Sequence, residues 1–500
     1  MRMKRKPSLV IALAGVATAV ALSTGCTVAL KETVLGPLPD SQVIASAASE
    51  DGRHYALVMA EGSKKRVVMD GQRGPAYDDI ANTLIFSADG KHLLYGAKIA
   101  DKCLIVVDGQ PGPAYDDLNL AVFSADGKRL AYGAKKGSKW FMVVDGQRSP
   151  EYDDLWMNMA FSADGKHLAY GAKKGTKWFM VVDGQSGPTY DGLGVDTVFS
   201  ADGKHLAHVA EKGDKSFVVV DGQPGPECDR FWDSTPVFSA NGKHVAYEVG
   251  IGDKWFFVMD GKLGLEHDEF ESDPVFSADG LCVAYAAVKG TNEFVVVNGQ
   301  PGPEYDKVST PAVSADGKHV AYNAQQGNKW FAVVDGLPGP EYDGISNGPP
   351  IFSADGKRLA YTAKKGDKWF VVVDGKPGPE YTYVAWPVFS ADGRHLAYHA
   401  WTASKAAVVL DGQPGPEYNY IMEAPPAFSA DGRHVAYVAM KGTNSFVAVV
   451  DGKSGPEYDS ILYYPPLSCH PGTHLTFDAD GTLEYLASKS NTLVRVRQSP

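Results

Sequence analysis

The stretch FSADGKHLAY, residues 161–170, decides the fold, because close copies of it recur along the whole chain. The acidic residue of its Asp-Gly pair gives the register. It falls at Asp51, Asp89, Asp126, Asp164, Asp202, Asn241, Asp279, Asp316, Asp355, Asp392, Asp431 and Asp480. Successive spacings are 37 to 39 residues, except the last, which is 49. The extra residues before the last copy include SCHPGTH, 468–474, and read as a local insertion. Twelve copies at one period make this 500-residue chain a repeat array rather than three or four unrelated domains.

One copy, MAFSADGKHLAYGAKKGTKWFMVVDGQSGPTYD at 159–191, reads as four short strands. MAFSA is apolar and short. The Asp-Gly after it is a hairpin signal, with both turn residues expected at positive φ. KHLAYGA alternates, as a half-buried strand does. KKGT is a basic turn. KWFMVV is continuously apolar, as for a strand covered on both faces. DGQSGP is a second turn, and TYD opens a fourth strand. A sheet of this size cannot bury both faces alone and must stack on its neighbours. A four-stranded unit of about 40 residues is the blade of a β-propeller, so an all-β propeller is expected.

FSADGKHLAY also resembles the FSPDGKRIAY-type phrase of TolB-like propellers, relatives of the WD-repeat proteins, with Ala where that family carries Pro. The resemblance covers 34–500. A weaker similarity, to WG-type repeats, is carried by KWF and the Asp-Gly segment after it, as at 140–154 and 369–381. Both imply the fold and leave the function open, since propellers share architecture without sharing activity.

NTLVRVR, 491–497, corresponds to a third strand, and GPLPD, 36–40, aligns with the GPEYD that opens a fourth. The N-terminal segment is therefore expected to complete the last blade, which removes exposed edges. Sheets pack about 10 Å apart, so twelve inner strands enclose a bore on the order of 40 Å and six enclose about 20 Å. The inner strands VFSA, 237–240, and IFSA, 351–354, are small and apolar, which suits a tight ring. At the midpoint GLEHD, 264–268, is a degenerate fourth strand. The expected arrangement is two six-bladed rings, 34–261 and 262–500, with one large ring over 34–500 as the alternative.

The first residues differ from the array. Arg2, Lys4, Arg5 and Lys6 precede an apolar run from Leu9 to Leu22, and STGC follows, ending at Cys26. This reads as an export signal over 1–25, with 26–33 as a tether. The run of 14 residues is short of the roughly 20 that span a membrane. Gly25–Cys26 resembles the lipobox of bacterial lipoproteins, with Leu22 one position further from the cysteine than that family has it. The resemblance implies lipidation of Cys26 and a place in the bacterial cell envelope. Ordinary signal cleavage and a retained anchor are the alternatives.

A net charge of −12 excludes a general nucleic-acid binder. Cys103, Cys228, Cys282 and Cys469 lack paired spacing and read as isolated thiols. His54, His92, His167, His205, His244, His319, His395 and His434 share one place in the repeat and belong to the scaffold. His208, His267, His399, His470 and His474 are off pattern. His470 and His474, beside Cys469, lack a third close ligand, and FDADGTLE at 477–484 lacks the ligand count of a calcium loop. No metal or cofactor is expected. No hydrolase elbow, zinc-protease, P-loop or dinucleotide signature is present.

The basic turns KKGS, KKGT and KKGD are expected on the same face as the acidic EYDD segments, forming surface ion pairs. The variable part of the repeat lies between EYD and FS, and reads as loops on that face: LWMNMA, GLGVDTV, RFWDSTPV, EFESDPV, TYVAWPV, NYIMEAPPA and SILYYPPL among them. Loops on a rigid scaffold are where binding usually sits. The contact residues expected there are Trp156, Met157, Trp232, Trp386, Tyr463 and Tyr464, with Asp196, Asp233, Asp273 and Glu423 as polar partners. The plainer reading is that they fill the channel mouth. The expected function is an exported, lipid-anchored, non-enzymatic propeller that engages an envelope protein or glycan and meets the membrane through its lipid alone. A propeller lyase or glycoside hydrolase using Asp196, Asp233 and Asp273 is the alternative, and a purely structural envelope protein the second.

Overall fold

The computed structural model describes residues 30–37, 43–49, 53–231, 235–346, 348–442, 444–461, 475–490 and 492–500. Its regular structure is all strand, arranged in twelve sheets. Numbered along the chain, blades 1 to 6 span 43–77, 79–111, 117–148, 154–190, 192–224 and 230–267. Blades 7 to 11 span 269–301, 307–338, 344–377, 383–414 and 420–454, and blade 12 joins 460–498 to 30–37. In blade 4 the strands are Asp154–Phe161, Leu168–Lys174, Lys177–Val182 and Gln185–Tyr190, adjacent in chain order and antiparallel.

The two Asp-Gly turns of the repeat differ. In the first, Gly165 takes a φ of 70° but Asp164 does not enter the left-handed region. Gly165 N donates to Ser162 O at 2.8 Å, and Ser162 Oγ donates to Asp164 Oδ1 at 2.6 Å. The carboxylate thus stabilises an ordinary four-residue turn instead of the mirror-image hairpin expected there. The mirror-image turn is the second one, where Asp183 and Gly184 have φ of 50° and 80°. Asp183 is held in that conformation from both carboxylate oxygens. Oδ1 accepts from Leu168 N at 3.0 Å and Oδ2 meets His167 Nδ1 at 2.7 Å. All eight patterned histidines make this clasp, at 2.6 to 2.8 Å. Arg129 and Arg358 take the histidine's place in blades 3 and 9.

First strands of neighbouring blades approach one another, as Asp154–Phe161 and Gly192–Phe199 do, whereas the fourth strands are exposed along the rim. The first strands therefore line the centre. Each interface between neighbouring blades holds its own buried cluster. A tyrosine pair recurs in these clusters, with Tyr152 Oη 3.3 Å from Tyr170 Oη across the interface of blades 3 and 4.

Two clusters decide how many rings there are. Ala246, Trp255 and Phe257 of blade 6 pack with Phe270, Tyr285 and Phe294 of blade 7. Tyr55, Leu57, Met59 and Val68 of blade 1 pack with Leu486 and Leu493 of blade 12. The chain closes one ring of twelve, not the two rings of six expected, and residue 262 is no boundary in the packing. The degenerate GLEHD segment keeps the packing of the other fourth strands. His267 occupies the place of the tyrosine, with Nε2 3.2 Å from Tyr285 Oη, so this strand packs on blade 7 as the others pack on theirs.

The N-terminal segment closes blade 12 as expected, through Leu30–Pro37 rather than from Gly36 onward as the GPLPD alignment has it. Leu30–Pro37 pairs antiparallel with Thr492–Gln498, from Leu30 opposite Gln498 to Pro37 opposite Thr492. Tyr458 Oη donates to Glu32 Oε1 at 2.7 Å. Residues 30–33, expected as tether, are part of this strand.

Candidate functional site

The variable segments are not loops between blades. Among the described residues they lie within the first strand, on the inner wall. In blade 4, Leu155 pairs with Ala172 and Met159 with Tyr170, so three residues oppose one. The surplus cannot join the ladder and bulges. In blade 6 the strand breaks into Arg230–Phe231 and Val237–Phe238, both paired with Val245–Ile251. Blades 7, 8, 9 and 11 are interrupted in the same way.

Facing each bulge is the fourth residue of the second strand, the Gly of LAYGA. At Gly171 a Cβ would lie 2.7 Å from Trp156 Cβ and 2.8 Å from Leu193 Cδ1, so glycine leaves room for the bulge. In blades 6, 8, 9 and 10 this place holds Glu248, Asn323, Thr362 and His399. All four are at most 3% exposed. Among the described residues both Glu248 carboxyl oxygens, Asn323 Oδ1, Thr362 Oγ1 and both His399 nitrogens lack hydrogen-bond partners. Each such atom costs about 1–3 kcal/mol. The scaffold does not require them, since the other blades fold with Gly, Ala, Val or Leu there.

Burial first, and then the carboxylate of Asp273, push Glu248 up to about 8, so it is uncharged at neutral pH. Burial pushes His399 down to about 3, leaving a neutral imidazole. Asn323 Nδ2 donates to Gly348 O at 2.9 Å, in the bulge of blade 9. In blade 10 Trp386 has a φ of 51°, a region that bulky side chains avoid. Its ring meets His399 edge-on at 5.4 Å and Trp401 at 6.2 Å. The chain of rings continues from Trp401 to Tyr383 at 5.5 Å and on to Trp369 at 5.8 Å. Tyr383 is 49% exposed.

The residues expected to make contacts separate accordingly. Asp273 is exposed beside Glu248, and Trp386 lies against His399. Glu423 is exposed in the bulge of blade 11, near Tyr420, whose hydroxyl is raised by burial and then by that carboxylate. Trp156 is half-buried against Trp178, at 5.2 Å, in the cluster between blades 4 and 5. Met157 and Asp196 belong to the first strands of blades 4 and 5, and their side chains lie outside the described residues. Trp232, Asp233, Tyr463, Tyr464 and Cys26 also lie outside them. Sequence reasoning missed Glu248, Asn323, Thr362, Tyr383 and Trp401. The available signal was LAYGA turning polar at its fourth residue, in VAYEV, VAYNA, LAYTA and LAYHA.

The acidic segments do form ion pairs, but with the lysine that opens the third strand rather than with the lysines of the KKG turns. Lys102 meets Asp116 at 2.6 Å, Lys139 meets Asp153 at 2.5 Å and Lys329 meets Asp343 at 2.7 Å. Each aspartate also accepts from the turn glycine of the next blade, as Asp153 does from Gly175 N at 2.6 Å. They clamp neighbouring blades together. His208, like His267, takes a tyrosine's place, and burial lowers both to about 4. Cys103, Cys228 and Cys282 are free thiols. Among the described residues no group of three His, Cys, Asp or Glu could hold a metal ion.

The fold is that of a β-propeller whose non-repeating residues gather on the inner wall. No family profile matches the chain, and no curated protein does. Among solved structures it is similar to TolB from Acinetobacter baumannii, at 13% identity and a TM-score of 0.24 over 40% of this chain and 58% of that one, under two thirds of the TolB length. It is similar to a eukaryotic initiation factor at 14% identity and a TM-score of 0.37, over 75% of this chain and 96% of that one. It is also similar to the Cps50 (Swd1) β-propeller domain of Myceliophteria thermophila, at 12% identity and a TM-score of 0.24, over 52% and 97% of the two chains. The propeller assignment rests on this chain's own strand order and ring closure.

Proposed function

We propose that this chain is a non-enzymatic binding propeller of the bacterial cell envelope, exported by residues 1–25, held by a lipid on Cys26, and engaging a protein or glycan partner through the inner wall of blades 6 to 10. One observation carries the reading. The two places where the repeat varies, the bulge and the residue beneath it, lie against each other, as Trp386 and His399 do. Variation that meets on one wall of a repeated scaffold is what a binding surface needs. The test is photo-crosslinking in the native envelope, with the reactive residue at 273 or 386 and, as rim controls, at 185 or 300 in the exposed fourth strands. Capture from the inner wall and not the rim supports the reading, and capture from the rim alone opposes it. Mass spectrometry of the mature protein with a Cys26→Ala control tests the anchor.

A second reading draws on Glu248 and Asp273. An uncharged carboxyl beside a carboxylate is the pairing glycosidases use, and it moves the enzyme alternative from Asp196 and Asp233 to this pair. Glycan hydrolysis abolished by both Glu248→Gln and Asp273→Asn would favour it.

A further inference from the structure

We propose that the rings of Trp369, Tyr383, Trp386 and Trp401, backed by His399, form with Thr362 of the neighbouring blade a subsite for a neutral glycan. The inference rests on the inner-wall reading and names the ligand class for blades 9 and 10. The four rings form one continuous chain, with neighbouring centroids 5.5 to 6.2 Å apart. All four are half-buried or exposed, so they offer apolar ring surface to a ligand. A pyranose has a matching C–H face and an edge of hydroxyls.

The polar groups at this position of the two blades suit those hydroxyls. A neutral imidazole has one donor and one acceptor, and a threonine hydroxyl can do both. Among the described residues neither His399 nitrogen nor Thr362 Oγ1 has a partner. They stand at the same place in neighbouring blades, about 10 Å apart by sheet spacing, so the ligand is an oligosaccharide rather than a single sugar. A purely apolar peptide would leave these atoms unpaired. A cationic ligand would meet Lys364, whose Nζ already lies 5.8 Å from the Trp369 ring. A polyanion would oppose the net charge of −12.

Trp386 supplies the independent sign of function. Left-handed backbone at a bulky residue is strained, and such strain collects at binding sites. His399 is wholly covered and lies against the Trp386 ring, so ligand entry moves Trp386, and release of its backbone favours that movement.

The test is a titration of the full chain with cellohexaose, chitohexaose and maltohexaose, read by tryptophan fluorescence, with pentalysine and hexagalacturonate as charged counterparts. Saturable binding of at least one neutral hexasaccharide is expected. Affinity should fall about tenfold in Trp386→Gly and in Trp401→Ala through loss of stacking. Thr362→Val, which keeps the shape and removes the hydroxyl, should fall several-fold. Trp386→Gly should melt no lower than the parent, because glycine suits the left-handed backbone, whereas a tryptophan needed only for packing would lower it. The proposal is overturned if no neutral oligosaccharide binds, if all three variants bind like the parent, or if a charged probe binds better. An envelope protein crosslinked from position 386 without any oligosaccharide binding would sink the glycan and leave the inner-wall reading standing. Neither result would sink both.

Discussion

Asp273 of blade 7 faces the buried Glu248 of blade 6, and its charge adds to burial in raising the Glu248 carboxyl to about 8. In the unfolded chain that carboxyl ionises near 4.5. Its contribution to stability is therefore fully present below about pH 4.5 and is lost as pH rises to about 8. Glu248→Gln should remove that loss, on the order of a few kcal/mol at pH 8. Melting of parent and variant across this range checks it. The curves should diverge as pH rises, and parallel curves would contradict the uncharged carboxyl. Asp273→Asn should act in the same direction with a smaller effect.

His208 occupies the place of Tyr170, stacked edge-on against Tyr190 at 6.0 Å with neither nitrogen bonded. Burial holds it at about 4, against 6.5 in the unfolded chain. Its share of stability is present above 6.5 and is lost as pH falls through the folded value. His208→Tyr restores the repeat and removes the titration. The gain in melting temperature should be larger near pH 5 than near pH 8. Equal gains at both would show that packing alone is at work.

Gly171 and Gly96 share one repeat position in different surroundings. A Cβ at Gly171 meets Trp156 and Leu193 at under 3 Å, whereas one at Gly96 meets only Ala81 Cβ, at 3.5 Å. Gly171→Ala should cost about 1–3 kcal/mol by overpacking. Gly96→Ala should be neutral or slightly stabilising, through a less flexible unfolded chain. Denaturant melts of the two variants separate these outcomes. A cost at both positions would mean that the glycines serve the backbone rather than the bulge.

Ring closure depends on Leu30–Pro37 covering the edge of Thr492–Gln498. Deleting residues 30–37 should expose that edge, lower the melting temperature and drive self-association, visible by size-exclusion chromatography with light scattering. A monomer of unchanged stability would show that the strand is dispensable. Negative-stain images of the full chain should show one ring of twelve blades, and two smaller lobes would contradict the packing of blade 6 on blade 7.

Sequence alone determined what neighbouring residues decide. The alternation of LAYGA, the apolar run of KWFMVV and the turns between them set the four strands, and their recurrence set twelve blades. The closing strand and the acidic partners of the lysine–aspartate clamps were legible for the same reason, as copies of a local pattern. Tertiary structure decided the rest. Which Asp-Gly forms the mirror-image turn depends on His167 reaching Asp183, 16 residues away. One ring instead of two is read from blade 6 packing on blade 7 and blade 12 on blade 1, interactions no single repeat contains. The inner-wall site depends on cross-strand register, which sets Glu248, Asn323, Thr362 and His399 beneath bulges that local pattern reads as loops. A repeat specifies its blade through contacts within itself, whereas the ring and its site arise from contacts between blades.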